Sequence, residues 1–111
     1  MSALKDKSCK PCEGGIKGYT STVAKNMLKK LHADCKLSSD HKSIRREYKF
    51  KNFYRTMSFV NAVAHVANAE DHHPDLEMGY DYCNITFTTH AIKGLSANDF
   101  ICAAKVDELA A

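Results

Sequence analysis

Apolar residues recur along this chain with two different periods, and the switches between them mark out its elements. Val23, Met27, Leu28 and Leu31 fall at three- and four-residue steps behind the hydroxyls of Thr20-Ser21-Thr22, so a capped first helix is predicted over about residues 21–33. Cys35-Lys36-Leu37 then offers a short strand ahead of the turn-rich Ser38-Ser39-Asp40-His41. Ile44, Arg46, Tyr48 and Phe50 alternate with Arg45, Glu47 and Lys49, which is the period of a half-buried strand. Asn52 is placed to cap the strongest helical pattern, a stripe of Phe53, Met57, Val60, Ala64 and Ala67 widened by Phe59 and Val63. That stripe is assigned to the core, with enough width to serve a subunit contact as well. Pro74 disfavours helical geometry at His73, so this helix ends at or before His72.

Two more strands follow, Leu76 to Tyr80 and Cys83 to Thr88, with a turn at Tyr80-Asp81-Tyr82 and with Cys83, Ile85 and Phe87 sharing one face of the second. Gly94 closes the next loop and Ser96 caps a last helix marked by Phe100, Ile101, Ala104 and Leu109. Asp99 stands three residues after that cap, where it either completes a capping box or serves a site. The order helix-strand-strand-helix-strand-strand-helix, with short connections, predicts an α+β domain: a four-stranded antiparallel sheet with three helices on one face. Residues 1–18 mix Lys, Cys, Gly and Pro without a period, Gly14-Gly15 included, and are expected to be a flexible arm before a single domain at 19–111.

Composition narrows the class. With 111 residues the chain suits one core, and no apolar run approaches the roughly 20 residues that cross a bilayer. The first residues lack the apolar centre of a signal peptide, so a soluble, cytoplasmic protein is expected. A net charge of +3, spread along the chain, is too small and too dispersed to suggest nucleic acid binding. Five cysteines is an odd number, and Cys35, Cys83 and Cys102 lie in apolar-periodic segments, so reduced thiols are expected rather than a disulfide framework. Cys9-Lys10-Pro11-Cys12 has zinc-ligand spacing, but no second close pair completes a set, and two thiols on an arm is the preferred reading.

The chemistry is concentrated in histidines. Of the six, His32, His41 and His65 are assigned to surface or core, whereas His72, His73 and His90 stand at the ends of predicted elements, where a scaffold presents side chains to a cleft. Imidazole titrates between pH 5 and 8, so a cluster of such groups points to proton transfer, with surface loops or a metal site as the alternatives. Adjacent residues of an extended strand face opposite ways, and His72 and His73 share a pocket only if the chain bends at the helix exit. Close imidazoles disfavour simultaneous protonation, which lets such a cluster hold one acid and one base near neutrality.

His72-His73-Pro74, Tyr80, Thr89-His90 and Gly94-Leu95-Ser96-Ala97-Asn98-Asp99, in that order, resemble the pterin-4a-carbinolamine dehydratases over residues 20–109. The resemblance implies dehydration of 4a-hydroxytetrahydrobiopterin to quinonoid dihydropterin, which recycles the pterin used by aromatic amino acid hydroxylases in phenylalanine metabolism. The pterin is then the substrate, with no cofactor and no metal. It further implies His72 and His90 as acid and base, His73 as a catalytic-site residue that orients the ring, and Asp71, Pro74, Thr88, Thr89 and Ala91 beside them as binding residues. Asp99 is implied to support the site from the last helix. Where the family carries an acidic residue four positions before its first histidine, this chain has Asn68, which leaves weaker support for a histidinium unless the helix end unwinds and Glu70 substitutes. Family members form homodimers and homotetramers, and some act as dimerisation cofactors for a transcription factor, so a regulatory binding module without catalysis is the alternative function.

Overall fold

The computed structural model describes residues 3–11 and 17–110 and shows the predicted order of elements: α1 (Ser21–Leu28), β1 (Lys36–Leu37), β2 (Ile44–Lys49), α2 (Phe53–Glu70), β3 (Asp75–Met78), β4 (Tyr82–Phe87) and α3 (Ala97–Ala110). The strands form one antiparallel sheet in the order β1-β2-β4-β3. Its central pairing joins β2 to β4 with Ile44 opposite Phe87 and Tyr48 opposite Cys83, so α2 connects the two hairpins as a crossover. Ile44, Tyr48, Cys83, Ile85 and Phe87 all face the helices, where they meet Phe59, Val63, Phe100 and Val106. The other face carries Arg45, Glu47, Glu77 and Thr86, with Arg45 donating to Glu77 at 2.6 Å.

Several apolar positions fall elsewhere than the sequence pattern predicts. Thr20 Oγ1 accepts from the Val23 N–H and caps α1 as expected, but the helix ends at Leu28 and continues only as tight turns, and Ala24 is buried while Val23 is 41% exposed. On α2 the buried line is Thr56, Phe59, Val63 and Ala67; Phe53 is 45% exposed and Ala64 is exposed, so the buried face is rotated from the predicted stripe. Polar Thr56 sits in that line because its hydroxyl lies 2.9 Å from the carbonyls of both Asn52 and Tyr80, which meets the cost of its burial. On α3 the buried set is Phe100, Ile101, Cys102, Ala103 and Val106, while Leu109 lies outside.

The amino-terminal arm is not detached over its described part. A short 3-10 turn at Leu4–Asp6 lies against α3; Lys5 pairs with Glu108 at 3.2 Å, and Lys105 donates to the Lys5 carbonyl at 2.9 Å. Leu4 and Cys9 pack against the core. These contacts use single residues without a period, so no repeating pattern in the sequence announces them. Cys12 and Gly14-Gly15 lie outside the described residues.

One polar cluster sits on the helix-facing side of the sheet. Arg46 of β2 faces α3 and pairs with Asp107 at 2.6 Å; the same oxygen accepts from the Tyr48 hydroxyl at 2.8 Å, and the other accepts from the His32 N–H at 3.2 Å. The guanidinium also lies 4.2 Å from the centre of the Tyr48 ring. Burial and the neighbouring carboxylate push the Tyr48 phenol well above its ordinary pKa. Asp107→Ala leaves Arg46 and Tyr48 without their acceptor, and a loss of about 2 kcal/mol is expected as a lower urea midpoint at unchanged slope.

Candidate active site

The helix exit at α2 decides where the first two histidines go. Asp71 adopts the left-handed conformation (φ 51°, ψ 42°), its N–H bonds back to the Asn68 carbonyl, and the His72 N–H bonds back to Ala67 at 3.1 Å. This is the Schellman pattern of helix termination, and aspartate is among the few non-glycine residues that tolerate it. The reversal turns the chain sharply ahead of Pro74, so His72 and His73 line one cleft although they are neighbours in sequence.

His72 is held most firmly. Its Nε2 lies 2.6 Å from Asp99 Oδ1, its ring stacks on Phe87 with centroids 6.0 Å apart and planes 5° from parallel, and its side chain is 11% exposed. Asp99 is fully buried at the start of α3, and its second oxygen accepts from the Thr89 hydroxyl at 2.7 Å and the Ser96 N–H at 2.9 Å. The two roles open to Asp99 are therefore filled together: one oxygen caps α3 and the other holds His72. A carboxylate only accepts hydrogen bonds, so opposite it the His72 Nε2 carries a proton.

His73 Nε2 lies 3.0 Å from the amide oxygen of Asn68, and both groups are exposed. Asn68 thus partners the second histidine, and the first has its carboxylate in Asp99 rather than at position 68. Helix α2 stays wound through Glu70, whose Oε1 accepts from the Cys9 N–H at 2.6 Å. Glu70 therefore holds the arm instead of standing in for the missing acid. His90 begins a 3-10 turn, His90–Ile92, that is closed by left-handed Lys93 and by paired backbone bonds between Thr89 and Gly94. His90 is exposed on the same cleft, without a side-chain hydrogen bond among the described residues.

The cleft has a volume of about 510 Å³, within the size range of small-molecule sites. Asp71, Thr88, Thr89 and Ala91 also line it, although the Thr88 hydroxyl is directed to the Lys42 carbonyl at 2.6 Å and so ties the end of β4 to the β1–β2 turn. Pro74 is not among the lining residues; its part is to force the extended exit after the turn.

Over residues 17–109 the chain matches the family described as pterin 4 alpha carbinolamine dehydratase. It belongs to that family. It is 52% identical over 108 residues to a protein of Legionella pneumophila strain Lens named provisionally as a pterin-4-alpha-carbinolamine dehydratase, covering 97% of this chain and 96% of the relative. It is 55% identical over 106 residues to a similarly named protein of Nitrosomonas eutropha, covering 96% and 92%. Among solved structures, a transcriptional coactivator/pterin dehydratase from Brucella melitensis superposes with a TM-score of 0.81 at 26% identity, over 86% of this chain and all of that one. A pterin dehydratase-like protein identified as a RuBisCO assembly factor in the alpha-carboxysome has a TM-score of 0.62 at 24% identity, over 71% and 92%, which shows the common fold alone.

Of the family motifs, His72-His73 and Thr89-His90 thus share one cleft, whereas Tyr80 is not among its lining residues and stacks near Phe53 instead. Cys9, Lys10, Pro11 and Asn98, which no motif marks, line it too. Asn98 is buried and clasps the arm in both directions, accepting from the Lys10 N–H at 3.0 Å and donating to the Lys10 carbonyl at 2.6 Å. The available signal was a polar residue one position before Asp99 on an otherwise apolar helix face. Asp99→Ala leaves the Thr89 hydroxyl and the Ser96 N–H without their acceptor and is expected to cost about 2–4 kcal/mol in a urea melt. Asp99→Asn, which keeps one acceptor oxygen, is expected to lose less than half as much.

Proposed function

We propose that this protein dehydrates 4a-hydroxytetrahydropterins, with His72 and His90 exchanging the protons and His73 orienting the ring. The observation that carries the reading is His72, fixed by the fully buried Asp99 in a cleft that also receives His73 and His90. Loss of water breaks the C4a–O bond and forms a C4a=N5 bond. The departing hydroxyl gains a proton, the N5 proton leaves, and the N5 electron pair becomes the new π bond. An imidazole whose Nε2–H is pinned to a carboxylate offers Nδ1 as a base when neutral and as an acid when protonated. His90, exposed on the same cleft, supplies the second proton carrier. Positioned groups of this kind are worth about 10² to 10⁴ in rate. Asp71 and Ala91 offer a polar and a small surface to the pterin edge, while Thr88 and Thr89, with their hydroxyls given to the Lys42 carbonyl and Asp99, form part of the wall behind it. An aromatic amino acid hydroxylase is the source of substrate in this reading, and a homodimer or homotetramer is its assembly.

The test couples an aromatic amino acid hydroxylase to this protein and follows decay of the 4a-hydroxypterin, which also proceeds unaided, so acceleration is the readout. His72→Ala and His90→Ala are each expected to reduce the acceleration on the order of 10²-fold, and Asp99→Asn to reduce it through misplaced protons on His72. An unchanged decay rate with the wild-type chain, or full acceleration by the double histidine variant, overturns the reading. A partner captured equally well by the wild type and that double variant, without acceleration by either, establishes the binding-module alternative instead.

A further inference from the structure

Cys9 Sγ lies 3.4 Å from Cys102 Sγ, across the seam between the arm and α3. The two thiols differ in access: Cys102 is fully buried, while Cys9 is partly exposed. The thiol contact with Cys9, burial and nearby carboxylates hold Cys102 protonated, far above the usual thiol range. The backbone around Cys9 is pinned on both sides of the seam, by Glu70 of α2 through the Cys9 N–H and by Asn98 of α3 through both backbone groups of Lys10. Cys35 and Cys83, in contrast, are buried elsewhere in the core, and burial pushes the Cys35 thiol up to about 12. A disulfide bond is about 2.05 Å long, so the Cys9 and Cys102 sulfurs need to close by only about 1.4 Å.

We propose that Cys9 and Cys102 form a reversible disulfide that locks the amino-terminal arm, and with it one wall of the histidine cleft, onto α3. The oxidant is a low-molecular-weight disulfide such as glutathione disulfide. Cys9, the accessible thiol, attacks one glutathione sulfur as its thiolate and releases one glutathione thiol. With Cys9 in the mixed disulfide, its thiol contact with Cys102 is gone; Cys102 then attacks the Cys9 sulfur as its own proton passes to the departing glutathione, which leaves as the second thiol. The protein loses two thiol hydrogens, the two glutathione molecules carry them away, and one S–S bond replaces another. The consequence is local: Cys9, Lys10 and Pro11 line the same cleft as the histidines, so their freedom to move is set by the oxidation state of this pair. The pairing does not rest on the dehydratase reading, because it is detected without substrate.

The full chain is incubated with glutathione disulfide, its remaining thiols are alkylated, and tryptic peptides are mapped without reduction. Lys10 precedes proline and resists trypsin, so Cys9 and Cys12 stay together in residues 8–17, while Cys102 lies in residues 94–105. A cross-link between these two peptides is expected in the wild type and in Cys12→Ser, and not in Cys9→Ser. The oxidised wild type should also melt on the order of 10 °C higher, reversibly with dithiothreitol, because the cross-link closes most of the chain into one loop. A bond within residues 8–17, a link between two chains, a glutathione adduct that never resolves, or a cross-link that leaves Tm unmoved overturns the proposal.

Discussion

A carboxylate with no exposure to water has to have its oxygens met by donors from the protein, and Asp99 meets this demand by drawing on three separate stretches of chain. Ser96 supplies a backbone N–H from the start of α3, Thr89 supplies a hydroxyl from the end of β4, and His72 supplies a ring N–H from the turn after α2. Because each donor comes from a different element, satisfying one buried acid also fixes where those elements end relative to one another. The cleft is the space left between those ends. Stability and placement of the imidazole are thus two consequences of the same set of hydrogen bonds.

The same economy extends outward from Asp99. Asn98, its neighbour, clasps the backbone of Lys10, and Cys102, one turn along α3, meets Cys9. Helix α3 therefore presents three successive functions on the side that meets the cleft and the arm: support of a histidine, attachment of the arm, and a thiol contact. Glu70 completes the attachment from α2. The departure at Asn68 loses its apparent weight in this setting, since the amide holds His73 and a carboxylate reaches His72 from α3.

The hydrophobic periods revealed the order and type of the α-helices and strands, but not the two short 3-10 turns or the rotation of each helix about its axis. Thr56 counts as polar in any sequence pattern, yet it is buried because a carbonyl from the turn after β3 meets its hydroxyl; Phe53 counts as apolar, yet it lies outside, with its ring stacked near Tyr80. Whether such a residue faces in or out depends on partners distant in the chain. The site histidines were legible because their positions at element ends and their family motif both lie in local sequence. The arm residues that share their cleft were not, because isolated contacts carry no period.

The sequence by itself determined the α+β order, the cap at Asn52, the interruption at Pro74 and the set of histidines, since each depends on residues within a turn or two of one another. Only the tertiary structure decided that β2 pairs with β4, that Asp99 caps a helix and holds His72 at once, and that the arm closes one side of the cleft. Those outcomes join residues tens of positions apart. Their physical cause is that buried polar groups must find partners wherever the packed chain brings them, and spacing along the chain does not encode where that will be.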